Sequence, residues 1–258
     1  MKSFLIGSLP FESVEEAIDY VFSFDVPTLP NLPQLYEDEF MLNQAFECLE
    51  GYSFTGAAVK VDSQKKSSLL SFSAKSEFFE RLGSTYKWQA CGPLTLLSAL
   101  DHHPKSEEIL DNYLDQLIAT QKEFNILSSE PFLFLLDEPV LAFCEDNIDV
   151  LKRFISKLKS SSTLKLGRVG IHACSKVSLS TLQTLGLELY ALDPSLYSSD
   201  EMKELQKSLG SRLVYTPVSS KGAEINYRPH EEEYSAPSCG GALSSKMEMD
   251  NIKKILRS

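Results

Sequence analysis

Short apolar runs alternate with longer amphipathic stretches along the 258 residues of this chain. That is the pattern of α/β architecture, in which helices connect parallel strands. Eight runs read as strands: residues 2–7, 53–61, 86–91, 131–137, 167–172, 187–193, 212–218 and 233–239. Helical periodicity lies between most of them, over 13–24 (with Glu15 and Glu16 in the first turn), 106–124, 147–159, 179–185, 199–209 and 244–256. Eight strands separated by helices predict a single (β/α)8 TIM barrel spanning residues 1–258 as one domain, and the length suits that fold. The runs 53–61 and 233–239 are mixed in polarity; if either fails as a strand, an open flavodoxin-like or Rossmann-like sheet is the alternative. Residues 26–34 carry Pro27, Pro30 and Pro33 and read as a loop after the first helix. Residues 62–68, polar and rich in Ser and Lys, read as an exposed, mobile loop.

Composition narrows the function classes. The chain is 43% hydrophobic and 24% charged, as expected of a soluble globular protein. With 25 Lys and Arg against 36 Asp and Glu, its net charge is −11. A surface this acidic repels phosphate backbones and anionic lipid, so neither nucleic acid nor a membrane is expected as a partner. No apolar run approaches the roughly 20 residues that span a bilayer. The apolar core before Gly7 is too short for a signal peptide. Five cysteines at scattered spacing do not form a disulfide framework. They fit a cytoplasmic location, where thiolates bind metals or react rather than cross-link.

In a parallel barrel, reactive groups sit where the strands end. The polar residues at those positions are Gly7-Ser8, Asp137-Glu138-Pro139, His172-Ala173-Cys174, Asp193-Pro194 and Cys239-Gly240-Gly241. His172 and Cys174, two apart on an extended segment, lean to the same side. A nitrogen and a thiolate sulfur in one short reach suit zinc. Barrel closure would bring Cys239 to the same end. Asp193 is the best-placed carboxylate for a fourth ligand, although Asp before Pro also opens turns and caps helices. The acids Asp137 and Glu138 emerge as the chain leaves an apolar run, either to hold a substrate ammonium group or to satisfy the amides of a helix start. His102 and His103 read as surface residues in a turn between helices. Cys48, Cys91 and Cys144 read as packing residues.

Five motifs occur in one order: Ile6-Gly7-Ser8-Leu9-Pro10, Cys91-Gly92-Pro93-Leu94-Thr95-Leu96-Leu97, Leu136-Asp137-Glu138-Pro139, His172-Ala173-Cys174 and Cys239-Gly240. In this the chain resembles the C-terminal catalytic barrel of cobalamin-independent methionine synthase and, more loosely, the uroporphyrinogen decarboxylase-like methyltransferases. The resemblance runs over almost the whole chain. It implies a (β/α)8 barrel in which His172, Cys174 and Cys239 hold Zn2+, and Ser8 and Asp137 hold the amino-acid end of a homocysteine-like substrate. The implied chemistry is methyl transfer to a small-molecule thiol activated on the zinc. The methyl donor would be a small molecule or a corrinoid protein.

The chain also departs from that family. Ala191 or Asp193 stands near the family's glutamate ligand, and Tyr215-Thr216-Pro217-Val218 lacks the family's histidine. The only tryptophan, Trp88, precedes the Gly92-Pro93 motif instead of following it. The H-G-E stretch is missing, with Ala57-Ala58-Val59-Lys60-Val61 in its region. These departures speak against folate as donor. They leave a second expectation open, a degenerate barrel that binds a small thiol or other ligand without turnover. A metal-free decarboxylase is a third, but the few arginines lie mostly away from strand ends.

Overall fold

The computed structural model describes every residue except 57, 102, 162, 164–166 and 226–231. The first half of the chain holds β1 (Lys2–Ser3), α1 (Val14–Val21), α2 (Met41–Glu47), β2 (Tyr52–Phe54) and β3 (Val59–Val61). There follow α3 (Lys75–Arg81), β4 (Tyr86–Cys91), α4 (Pro93–Leu100) and α5 (Ser106–Leu127). The second half alternates regularly: β5 (Phe132–Asp137), α6 (Ile148–Ser160), β6 (Gly167–Ala173), α7 (Leu179–Leu185), β7 (Leu189–Leu192) and α8 (Ser199–Leu209). It closes with β8 (Tyr215–Val218), β9 (Tyr234–Pro237) and α9 (Lys246–Leu256). Local chemistry sets several of these boundaries. Capping boxes of Ser198 with Glu201 and of Ser245 with Glu248 start α8 and α9. Gly186, at a φ of 58°, ends α7 in a left-handed turn that a side chain disfavours.

The result is a mixed α/β fold built on parallel sheets. One sheet has the order β4-β5-β6-β7 and another β1-β9-β8. A parallel bridge between Tyr190 and Leu213 links the two on one side. On the other side the link runs through residues 26–31, a loop as read, which makes isolated parallel bridges at Thr28 and Asn31. Val26 N donates to Ser3 O at 3.0 Å, Leu9 N to Asn31 O at 2.9 Å, and Leu29 N to Lys87 O at 2.8 Å. Lys87 N in turn donates to Pro27 O at 2.9 Å. Prolines lack only the donor; their carbonyls still accept, and the residues between them supply the N–H groups.

The segment 53–61, expected as a strand of the parallel set, instead forms the antiparallel hairpin β2-β3, outside both parallel sheets. Neither face of it is deeply buried, and Val61 is 72% exposed. A strand inside a parallel α/β sheet needs apolar cover on both faces. Residues 62–68 form an exposed loop, as read, in which Lys65 Nζ donates to Phe46 O and Tyr52 O, and Gly51 N donates to Lys65 O.

The core has two parts. Between sheet and helices, Trp88 stacks on Phe134 with ring centroids 4.2 Å apart and meets Phe124 edge-on. A separate apolar cluster contains Phe4, Ile6, Leu133, Leu135, Leu189 and Ala191. Strand alternation puts it on the opposite face of β4–β7. Among the described residues no helix is long and apolar enough to cross a membrane.

Candidate functional site

Above the second cluster the strands turn polar. Parallel registry sets Cys91 beside Asp137, Asp137 beside His172, and His172 beside Ala191. Asp137 Oδ1 lies 3.1 Å from His172 Nδ1, and His172 Nε2 lies 3.1 Å from the Ser238 carbonyl. Both partners are acceptors, so a ring that engages both donates from both nitrogens and is positively charged. Burial alone depresses the imidazole pKa. The hydrogen bond and charge of Asp137, with Cys174 and the Ser238 carbonyl, outweigh it and raise the value.

Cys174 and Cys239 meet across the site. The neighbouring Cys239 lowers the Cys174 thiol to a pKa of about 6 against the effect of burial, and the charge of His172 helps. Cys174, together with burial, pushes the Cys239 thiol up.

Ser8 reaches this neighbourhood through Gly7 and Gly240. Gly7 has a φ of 61°, and its N–H donates to Gln89 Oε1 at 2.7 Å. A Cβ on Gly240 would lie 3.2 Å from Ser8 N, so glycine lets the segment after Cys239 approach the one after β1. Ser8 itself is half-buried.

The structure separates the other candidates from this group. Glu138, one residue past Asp137, turns to the N-terminus of α4. It accepts from Leu94 N and Thr95 N, both at 2.9 Å, and from Thr95 Oγ1 at 2.8 Å. That is the helix-start role weighed for the acid pair, served on a helix distant in sequence. Asp193 Oδ1 accepts from Ser195 N at 2.9 Å and Ser195 Oγ at 2.6 Å, capping the short turn Pro194–Leu196. Cys48 and Cys91 are buried and Cys144 is half-buried. His103 meets Tyr52 edge-on, and its Nδ1 accepts from Lys105 N. His102 lies outside the described residues.

Glu138 gives a pH dependence of known sign. Burial outweighs its three donors and raises its carboxyl to about 7, from 4.5. Between those values the folded state holds a proton that the unfolded state has released. Its contribution to stability is thus complete below about pH 4.5 and is lost as pH rises through 7, amounting to about 3 kcal/mol. Denaturant titrations from pH 5 to 8 should show this fall, and Glu138→Gln should flatten it. Equal slopes for the two proteins would refute the assignment.

Two site residues escape a reading of strand ends: Lys87 and Gln89, inside β4. Lys87 is fully buried and its Nζ donates to Gln89 Oε1, while Gln89 Nε2 donates to Asp137 Oδ2 at 2.6 Å. Burial lowers the Lys87 ammonium to a pKa of about 7, and the charge of Asp137 opposes the fall. The signal was available in Tyr86-Lys87-Trp88-Gln89, where two polar side chains alternate with aromatic ones in a strand flanked by apolar elements.

No protein-family model matches the sequence, and no curated protein matches it. Solved structures do. A B12-independent methionine synthase from Shewanella sp. W3-18-1, in complex with selenomethionine, superposes with a TM-score of 0.68 at 15% identity. The match covers 99% of this chain and 97% of that one. The fold is methionine synthase-like. A methyltransferase from Methanosarcina mazei gives a TM-score of 0.62 at 19% identity, over 99% of this chain and 93% of that one. At such identities the likeness concerns the path of the chain through this methionine synthase-like fold. The roles of side chains rest on the geometry above.

A resident zinc can be tested against that geometry. Two sulfurs already face each other, and Asp137 accepts from His172 Nδ1, the arrangement that leaves Nε2 for a metal. Nε2 now meets the Ser238 carbonyl instead. Among the described residues no group of three or more His, Cys, Asp and Glu side chains is disposed to hold a metal ion. His172, Cys174 and Cys239 are donors of the types zinc takes, and as placed here the three do not form such a group.

Proposed function

We propose that this chain is a methyltransferase-like protein that activates a small, homocysteine-like thiol for alkylation, with Zn2+ held by His172, Cys174 and Cys239. The fold is read as one domain over residues 1–258. Its parallel sheets are read as one closed (β/α)8 barrel, in which residues 26–31 take the place first given to 53–61. The observation that carries the function is the Cys174–Cys239 pair at the ends of parallel strands, beside a histidine backed by a carboxylate. Bound zinc would supply a thiolate from a thiol whose free pKa near 8.5 keeps it mostly protonated at neutral pH.

The chain's own residues have separate tasks. Asp137 keeps the Nδ1 proton on His172, so the ring presents Nε2 on exchanging the Ser238 carbonyl. Ser8, beside Gly240, and Asp137 are suited to receive the amino and carboxyl groups of an amino-acid thiol. Glu138, sequestered under α4, supports the site by anchoring that helix. The test is twofold: metal analysis of the purified protein, and mass-spectrometric detection of the thioether from homocysteine with small methylated compounds or a methylated corrinoid protein as donor. A protein that copurifies without zinc and takes none up sinks the reading.

A second reading is favoured by Ala191. Its methyl group stands in register beside His172, at one of the two positions, with Asp193, set against the glutamate of the family the sequence resembles, and Thr216 and Pro217 of β8 offer no histidine. On this reading the barrel binds a thiol without turnover. Calorimetric binding of homocysteine with no methyl transfer from either donor class would select it. Asp193→Ala separates the capping role of that carboxylate from a ligand role. Zinc content is expected to be unchanged and stability to fall by about 1 kcal/mol, as for loss of a capping side chain.

A further inference from the structure

Lys87 is tied to the site by a chain of contacts that the proposed chemistry does not use. β4 sends Tyr86 and Trp88 toward the helices and, by alternation, Lys87 and Gln89 to the opposite face, where the Phe4 ring centroid lies 5.9 Å from Lys87 Nζ. Lys87 Nζ donates to Gln89 Oε1, which also accepts from Gly7 N at 2.7 Å. Gln89 Nε2 donates to Asp137 Oδ2 at 2.6 Å, and Asp137 Oδ1 faces His172 Nδ1 at 3.1 Å. Chemistry fixes the sense of this amide. Reversed, its NH2 would face two donors, the Gly7 N–H and the ammonium, and its oxygen would face a carboxylate.

A buried ammonium is a poor way to stabilise a fold. Apolar side chains in place of a whole buried charged network are often neutral or stabilising, whereas removing one member leaves its partners uncompensated. What the ammonium does, and methionine cannot, is hold Gln89 in one orientation and offset the buried charge of Asp137. We propose that Lys87 is a positioning residue for the site: through Gln89 it fixes the Asp137 carboxylate, and so the ring orientation and the Nδ1 proton of His172. The inference rests on the reading of His172 as a site residue.

The test is Lys87→Met in the full chain, metal-free, with 15N-labelled histidine. In the wild type the proton on His172 Nδ1 should give a sharp resonance, assigned by its absence in His172→Gln. In Lys87→Met that resonance should broaden into exchange with water, and Tm should fall because the Asp137 charge loses its partner. Zinc affinity should fall about 10–100-fold, the range for losing an outer-shell partner. A lysine with only a structural role would leave the resonance sharp whatever its effect on Tm, and that result overturns the proposal. If Lys87→Met fails to fold, Gln89→Met cuts the same chain one link further on. It should broaden the same resonance, and a sharp one again overturns the idea. Because the resonance is read without metal, a wild type that binds no zinc refutes the zinc reading without deciding this one.

Discussion

Replacing either Cys174 or Cys239 with serine is expected to remove zinc from the purified protein. The two sulfurs are the donors that already converge, and zinc sites of this kind are built on thiolates. A serine hydroxyl stays protonated where the thiol ionises, so it donates a proton instead of an anionic lone pair. Removing a direct ligand should lower affinity by more than the roughly 10–100-fold typical of an outer-shell partner. Emission spectroscopy of the isolated variants and zinc titration into the apoprotein measure this. Cys144→Ser, half-buried and apart from the pair, should keep the metal. Retention of full zinc by both Cys174→Ser and Cys239→Ser would rule these sulfurs out as ligands.

The largest stability effect is expected at Glu138. Glu138→Ala strands Leu94 N and Thr95 N in a buried setting, leaves Thr95 Oγ1 only the Asp137 carbonyl at 3.4 Å, and leaves a cavity. Water entering the space recovers part of the loss, so about 3 kcal/mol is the expected net effect. For a chain of this size that corresponds to a fall in Tm of about 6–12 °C. Gly92→Ala should act through the same contact. Its Cβ would lie 2.2 Å from the Glu138 carboxyl carbon, so the carboxylate must leave the helix end. The two losses should not add in the double variant, since both break one interaction. Additive losses in thermal melts would show that Gly92 matters for another reason.

How much of this was legible beforehand differs from element to element. The strand 131–137 is an apolar run broken only at its Asp137 end, and the structure pairs it in parallel with 86–91 and 167–172, with α5 and α6 between. Burial on both faces writes such strands into composition. Residues 26–31 form the loop that their prolines indicate, but the acceptors that join them to β4 leave no mark in the sequence. The hairpin at 52–61 was misread because β-prone residues do not say which partner they find.

The site divides along the same line. Sequence alone determined which reactive groups the chain owns and that several follow strands: Asp137, Glu138, His172, Cys174, Asp193 and Cys239. It could not sort them, because an acid after a strand is equally a ligand, a substrate contact or a helix cap. Tertiary structure shows only which donors each side chain meets. Asp137 faces Gln89 and His172, Glu138 faces the amides of α4, and Asp193 faces Ser195. It also brought Cys239 to Cys174 and placed Lys87 under the site. These contacts join residues far apart in the chain, and only the closing of strand upon strand, driven by burial of the apolar faces between them, sets their distances.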